Sequence, residues 1–231
     1  MAGGRVGDAV TLLHPPYTAW HLSYFALGAA LAPTLRLAPL LWGLLAFALA
    51  VGVAAHALDE LHGRPLRTRI SDRALLALAV VGVLGAVAIG IAGVLTVSVW
   101  LAPFVLAGAV FVAAYNLELA GGRFHGDAAF ALGWGGFPAL TGYFAQARTL
   151  SPAALLIAAG CVAMSVAQRR LSSRARELRR RTLTVDGAVT LRDGSVEALT
   201  RERLLAPLDG ALAALSLAVV LTACALVIAR L

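Results

Sequence analysis

Long apolar runs are the feature that most restricts how this chain of 231 residues can fold. Several runs are about 20 residues long, which is the length at which a helix crosses a hydrocarbon core of roughly 30 Å. Hydrophobic residues make up 60% of the chain and charged residues 13%, whereas soluble domains carry roughly 45–50% and about 25%. The sequence therefore predicts a single membrane domain spanning residues 1–231.

The apolar runs divide into seven predicted membrane spans. The predicted fold class is accordingly all-α, an integral membrane helical bundle of about seven transmembrane helices. The predicted spans cover residues 18–33, 38–58, 74–95, 96–115, 128–145, 152–167 and 206–228.

All 19 basic residues are arginines, and seven crossings divide them unequally between the two membrane faces. Sixteen fall on the face that holds the N-terminus, and three, Arg36, Arg148 and Arg230, fall on the other. Because positive charge is retained on the inner side, we expect a bacterial or archaeal cytoplasmic membrane and a cytoplasmic N-terminus. A basic rim beside apolar helices also attracts anionic headgroups, so the expected partners are membrane lipids and not nucleic acid.

Residues 168–203 form the one long predicted connection, a cytoplasmic basic loop with a helix and a hairpin. It begins QRRLSSRARELRRR, a basic extension of the sixth span that we expect to lie along the headgroups. Residues 182–191 alternate apolar and polar side chains around Asp186-Gly187, which predicts a small β-hairpin. Residues 197–205 are predicted to form a short helix that leads into the seventh span.

Ionisable residues gather at the cytoplasmic ends of the predicted spans, and the segment HALDELHGRPLRTR is the densest group. His56, Asp59 and Glu60 are spaced to share one face of a helix. Two carboxylates and an imidazole can hold a divalent cation, and Arg64 and Arg67 can bind phosphate oxygens. The alternative is an ordinary helix end at which acids and arginines pair.

A second polar segment, YNLELAGGRFHGD, joins the fourth and fifth spans at the same face. Ionisable groups near membrane depth are costly and are commonly retained for a site, although the segment could also be a solvated loop. His21, one helical turn from Tyr17 and Tyr24, is a further candidate. We expect one shared cavity that receives Asp59, Glu60, Glu118, His125 and Asp127. The expected counter-charges are Arg64, Arg67 and Arg123, and His56 and His62 are expected within a helical turn of the same opening.

At these two segments the sequence resembles the UbiA superfamily of membrane prenyltransferases. AHALDELHGRPL is similar to the family's first aspartate-rich signature, with His56 and Asp59 at its first two aspartates and Arg64-Pro65-Leu66 after it. AYNLELAGGRFHGDAAFALGWGGFPALTGYFAQ resembles the menaquinone-branch members. The resemblance covers residues 17–167 and implies a UbiA-like bundle that binds an isoprenoid or other lipid.

The family's second aspartate-rich loop, which follows the sixth helix and holds Mg²⁺ against a diphosphate, has no counterpart here. That segment reads SVAQRRLSSRARELRRR and contains one acid, Glu177. For an enzyme, the resemblance implies Mg²⁺ held by Asp59 and Glu60 with His56, and a prenyl transfer reaction at the cytoplasmic face. The implied catalytic residues are Asp59, Glu60, His125 and Asp127, and the implied substrate-binding residues are Arg64, Arg67, Asn116, Glu118, Arg123 and His21.

Two other functions stay open from the residues alone. One is a transition-metal-dependent membrane enzyme, because imidazole and carboxylate together suit iron, manganese or zinc. Its ligands would be His56, Asp59, Glu60, His62 and His125. The other is a non-catalytic lipid-binding, transport or assembly protein, which explains the missing aspartates without new chemistry.

The arginine asymmetry makes a prediction about topology. A reporter that is active only in the cytoplasm should be active when fused within residues 169–203, and inactive when fused in the opposite connection at Thr149. The reason is that arginine-rich connections are retained on the cytoplasmic side, so the orientation that translocates the fewest arginines is favoured. The reverse pattern of activity in the two fusions would contradict the predicted orientation.

Overall fold

A computed structural model describes residues 4–118, 121, 123 and 126–231, the side chain of Arg5 excepted. Helices account for most of these residues, and a two-stranded hairpin precedes the last helix. In chain order the elements are α1 (Arg5–Leu13), α2 (Pro15–Leu31), α3 (Leu37–Leu61), α4 (Asp72–Thr96), α5 (Val99–Asn116), α6 (residues 127–147), α7 (Pro152–Arg180), β1 (Ala188–Thr190), β2 (Val196–Ala198) and α8 (Arg201–Ile228).

Helices α2 to α8 form the membrane bundle, and the predicted all-α architecture is confirmed. Five of them, α3, α4, α5, α7 and α8, are long and apolar enough to cross a membrane. The other two are the helices with the most buried faces: α2 buries ten of its 17 residues, and α6 buries most of its length. A helix that contacts protein on most sides need not be as apolar as one that faces lipid, which explains their lower hydropathy.

The N-terminal helix α1 is an element that the sequence patterns did not predict. It ends at His14, whose left-handed φ of 43° turns the chain into α2. Leu12 is buried against Ala57, Leu75 and Ala79 of α3 and α4. The short helix α1 is therefore packed onto the same end of the bundle at which α3 ends.

Two glycines allow α2 and α6 to approach backbone to backbone. A Cβ atom on Gly28 would lie 1.9 Å from the carbonyl oxygen of Ala139, and one on Gly142 would lie 2.1 Å from that of Phe25. Small residues at helix crossings permit such close contact in membrane bundles. The pair sets the centre of the bundle, with α8 packed on the other side of α2.

Helices α3 and α6 each contain a π-helical stretch, at Ala48–Ala55 and Ala131–Gly136. Such widened turns are often found at functional sites. Val51 lies in the first stretch and Trp134 in the second. Both side chains belong to the cavity walls described below, so the widened turns occur where the bundle opens.

A β-hairpin is present in the 168–203 segment, but its predicted position at residues 182–191 is wrong. Ala188 pairs with Ala198 and Thr190 with Val196, and the turn lies at Asp193-Gly194 instead of Asp186-Gly187. The carboxylate of Asp193 accepts hydrogen bonds from the hydroxyl and the amide of Ser195, at 2.7 and 2.9 Å. These bonds hold the pKa of the Asp193 carboxyl below its ordinary value and favour this turn over the earlier Asp-Gly pair.

The helices on either side of the hairpin also differ from the prediction. The basic stretch after residue 168 is helical, as expected, and it continues α7 without a break to Arg180. The predicted helix over residues 197–205 is confirmed only from residue 201 onward, because Glu197 lies in β2. Helix α8 begins at Arg201, where Thr200 caps it by accepting a hydrogen bond from the amide of Arg203 at 3.2 Å.

The close contact of α2 with α6 predicts that one added methyl group at this contact will destabilise the protein. Gly142→Ala should lower the free energy of unfolding by about 1–3 kcal/mol, because the new methyl meets backbone atoms that cannot rotate away. Gly160→Ala is the matched control, since a Cβ atom there meets nothing within 4 Å. Unfolding of both variants in detergent should show loss at residue 142 and no loss at residue 160; equal stability would contradict the close contact.

Candidate functional site

A polar cavity of about 960 Å³ opens at the end of the bundle where α3 and α5 end and α2 and α6 begin. We call this end of the bundle the polar end. Six helices, α2, α3, α5, α6, α7 and α8, and the connections after α3 and α5 contribute side chains to the cavity wall. Its ionisable and polar lining comprises His14, Tyr17, His56, Asp59, His62, Tyr115, Asn116, Glu118, Gln168, Arg169, Ser172, Arg176, Arg179, Arg180 and Ser216.

Aromatic rings and imidazoles form one wall of the polar cavity. The ring of Tyr17 lies 5.4 Å from that of His56 and 4.3 Å from that of His21. His21 is 1% exposed and stands behind Tyr17, outside the cavity lining. Its Nδ1 donates a hydrogen bond to the carbonyl oxygen of Trp134 at 2.8 Å. His21 therefore joins α2 to α6 and does not reach a ligand in the cavity directly.

Asp59 and Glu60 are neighbours in the sequence, but their carboxylates lie in different surroundings. Asp59 lines the cavity, whereas Glu60 is fully buried beneath the connection from α3 to α4. One carboxylate oxygen of Glu60 accepts the amide of Leu66 at 2.8 Å, and the other accepts the amide and hydroxyl of Thr68 at 2.7 and 2.9 Å. The expectation that Glu60 points into the cavity is thus wrong, because its oxygens hold the following turn.

The two arginines after this segment also lie outside the cavity lining. Arg64 donates to the carbonyl oxygen of Ile70 at 2.6 Å and pairs with Asp72 at the start of α4. Arg67 is exposed. Both residues have left-handed φ angles, 54° and 55°, because the chain wraps around the Glu60 carboxylate. The phosphate-binding role expected for Arg64 and Arg67 would need a different conformation of this turn.

The second polar segment contributes only part of what the sequence suggested. Asn116 and Glu118 line the cavity, and Asn116 donates to the carbonyl oxygen of Val112 at 2.8 Å. The side chain of Asp127 is 80% exposed and pairs with Arg169, so the expectation that it points into the cavity is wrong. Arg123 is exposed and absent from the lining, and His125 lies outside the described residues.

Four arginines of α7 complete the wall, and the sequence analysis missed them. Arg169, Arg176, Arg179 and Arg180, here called the cavity arginines, recur at intervals that place them on one face of a helix. Arg169 donates to the hydroxyl of Tyr115 at 2.9 Å, and its guanidinium lies 4.8 Å from the ring centre of Phe130. The helical spacing of these arginines could have indicated a common face in the sequence. A basic segment that lies along lipid headgroups explains the same arginine content, however, and was the interpretation chosen.

A second, apolar cavity of about 650 Å³ lies between α3, α4, α5 and α6. Within the described part of the chain no ionisable side chain lines it, and Phe47, Phe104 and Phe137 are among its walls. Val51 and Trp134 line both this cavity and the polar one. The two cavities therefore adjoin at these side chains. Charged side chains line the cavity on one side of them, and apolar side chains line the cavity on the other.

The described residues do not supply a fitting site for a divalent cation. Both oxygens of Glu60 are engaged by the turn, and Nδ1 of His56 donates to the carbonyl oxygen of Gly52 at 3.1 Å. Mg²⁺ requires a near-octahedral set of oxygen ligands, and Asp59 is the one carboxylate of its segment in the lining. Among the described residues, no three His, Cys, Asp or Glu side chains converge closely enough to hold a metal ion.

The fold is similar to that of a UbiA homologue from Archaeoglobus fulgidus, whose structure was solved bound to Cd²⁺. The two chains are 16% identical, with a TM-score of 0.51 over 93% of this chain and 79% of the other. No protein-family model and no curated protein matches the sequence. At this identity the likeness establishes the fold alone, and the bundle is UbiA-like, as the two sequence segments predicted.

The different surroundings of Asp59 and Glu60 predict that removing each carboxylate will change the stability of the protein by a different amount. Glu60→Ala should lower the free energy of unfolding by about 1–3 kcal/mol, because buried amide and hydroxyl donors lose their acceptor. Asp59→Ala is the matched control and should change stability less, since its side chain is only half-buried and water can reach the groups around it. Thermal unfolding of the two variants in detergent checks this; a larger loss from Asp59→Ala would contradict the assignment.

Proposed function

We propose that this protein is a UbiA-like membrane protein that binds an isoprenoid or other lipid, with the head in the polar cavity and the chain in the apolar one. The observation that carries the proposal is that the two cavities adjoin at Val51 and Trp134. A lipid has the same division into a polar and an apolar part. Both volumes fall within the roughly 300–1,000 Å³ typical of ligand pockets.

The fold supports an isoprenoid as the ligand class by analogy, since a shared fold does not by itself carry function. The apolar cavity suits such a chain, because aromatic and small side chains form its walls and no charge must be desolvated to fill it. With the N-terminus in the cytoplasm, the head of the lipid would face the cytoplasmic side.

Lipid binding is better supported than metal-assisted prenyl transfer or transition-metal chemistry. Both reactions require a metal cation that several side chains coordinate. Asp59 and one ring nitrogen of His56 are too few ligands to hold such a cation. Binding needs only a shaped cavity and a compatible head site. The function proposed is therefore lipid binding, as part of transport, assembly or a reaction that does not use the family's two metal clamps.

Filling the apolar cavity tests the proposal. Ala86 of α4 lines this cavity, and Ala86→Trp should exclude the lipid chain from the space that it would occupy. The lipids that co-purify with the protein can be extracted and measured by mass spectrometry. We expect the bound lipid to fall by about tenfold or more, because losing burial of two or more CH₂ groups costs about 1.6 kcal/mol.

Ala77→Trp is the matched control, since Ala77 lies on the same helix, is exposed and is absent from the cavity lining. It adds an equal side chain on the outer surface, where bilayer lipid can yield to it. Equal lipid content in the two variants and in the unmodified protein would show that the cavity holds no lipid. Matching elution profiles on size exclusion would confirm that both variants are folded.

A further inference from the structure

The cavity arginines bring concentrated positive charge into the polar cavity. Asp59 and Glu118 also line this cavity, so the lining holds four guanidinium groups and two carboxylates. A guanidinium presents five N–H donors in a planar fork that matches the oxygens of a phosphate group. The cavity is thus richer in positive charge and in donors than its own acids require.

Two of the cavity arginines are already held by carboxylates outside the lining. Arg169 pairs with Asp127 at the start of α6. One terminal nitrogen of Arg179 donates to both carboxylate oxygens of Asp209 in α8, at 2.5 and 2.6 Å. These pairs fix α7 against its neighbours, and they leave the remaining two arginines as the free charge of the site.

Arg176 and Arg180 form no ion pair among the described residues. Arg176 donates to the hydroxyl of Ser173 at 2.9 Å, and Arg180 donates to the carbonyl oxygen of Pro65 at 3.2 Å. Each contact engages one nitrogen and neutralises no charge. Arg180 follows Arg176 by four positions, which places the two about one helical turn apart on the same face of α7.

The acid that lies on this stretch of α7 itself pairs outside the cavity. Glu177 is the one carboxylate within residues 168–181, and it pairs with Arg174 at 2.7 Å outside the cavity lining. A cation bridging a ligand to α7 would therefore meet guanidinium groups and no carboxylate. Electrostatics at this wall favour an anion and oppose Mg²⁺.

We propose that Arg176 and Arg180 bind a phosphate or diphosphate group directly, without a bridging divalent cation. The proposal rests on the proposed function in one respect, since the phosphate group is taken to be the head of the lipid. It reverses the electrostatic logic expected from a UbiA-like cavity. In the expected arrangement, acidic side chains bind metal ions that bind the phosphate. In the proposed arrangement, the arginine guanidinium groups bind the phosphate directly.

Binding of two probes to the detergent-purified protein tests this inference. The probes are inorganic diphosphate and farnesyl diphosphate, each titrated by calorimetry in excess EDTA and again in Mg²⁺. We expect both probes to bind in EDTA with affinities within about twofold of those in Mg²⁺. Because a charge-assisted hydrogen bond contributes about 1.5–3 kcal/mol, Arg176→Gln and Arg180→Gln should each weaken binding by about tenfold or more.

Arg170→Gln is the matched control, because Arg170 is exposed on the same helix and absent from the cavity lining. It removes the same net charge and should leave both affinities unchanged. Loss of binding in EDTA, or equal weakening by all three substitutions, would overturn the direct arginine site. Unchanged melting temperatures of the variants in detergent would exclude misfolding as the cause.

The two probes also separate this inference from the proposed function. If inorganic diphosphate binds through the arginines while Ala86→Trp leaves lipid content unchanged, the anion site stands and lipid binding fails. If Ala86→Trp removes the lipid while Arg176→Gln and Arg180→Gln change neither affinity, lipid binding stands and the arginine site fails. Tighter binding of farnesyl diphosphate than of inorganic diphosphate would identify a lipid head as the source of the phosphate.

Discussion

The backbone contact between α2 and α6 is the constraint on which the rest of this structure depends. Gly28 and Gly142 let the two central helices touch without intervening side chains, which aligns the start of α2 with the start of α6. That alignment brings the imidazole of His21 to the carbonyl of Trp134 and stands Tyr17 opposite the aromatic side chains of α6. The wall between the two cavities follows from this crossing, since Trp134 belongs to both.

A single buried carboxylate shapes the chemistry of the polar end. Glu60 accepts hydrogen bonds from three donors of the turn that follows it, and burial of a carboxyl group is costly unless its oxygens have such partners. The cost is that Glu60 is withdrawn from the cavity together with the turn that carries Arg64 and Arg67. Asp59 remains in the lining with the cavity arginines, which outnumber the carboxylates there.

Part of the lining of the polar cavity was predictable from the sequence for a simple reason. Asp59, Asn116 and Glu118 sit at the ends of apolar spans, and span ends at one membrane face must meet around the same opening. The direction of each side chain was beyond this reasoning, because Asp59 and Glu60 differ by one residue and about 100° around the helix. Likewise Asp127 starts α6 as expected, yet it turns outward to hold Arg169.

By itself the sequence determined that this chain is a bundle of apolar helices with its ionisable residues at one end, because lipid tolerates little else along 20-residue runs. It also determined that a hairpin forms between the last two spans, although not which Asp-Gly pair would turn it. Only the tertiary structure decided which charges share a cavity. Nothing in the sequence distinguishes Arg176 and Arg180 from other surface arginines, and they line the cavity because α7 extends beyond the apolar span with that face toward the opening.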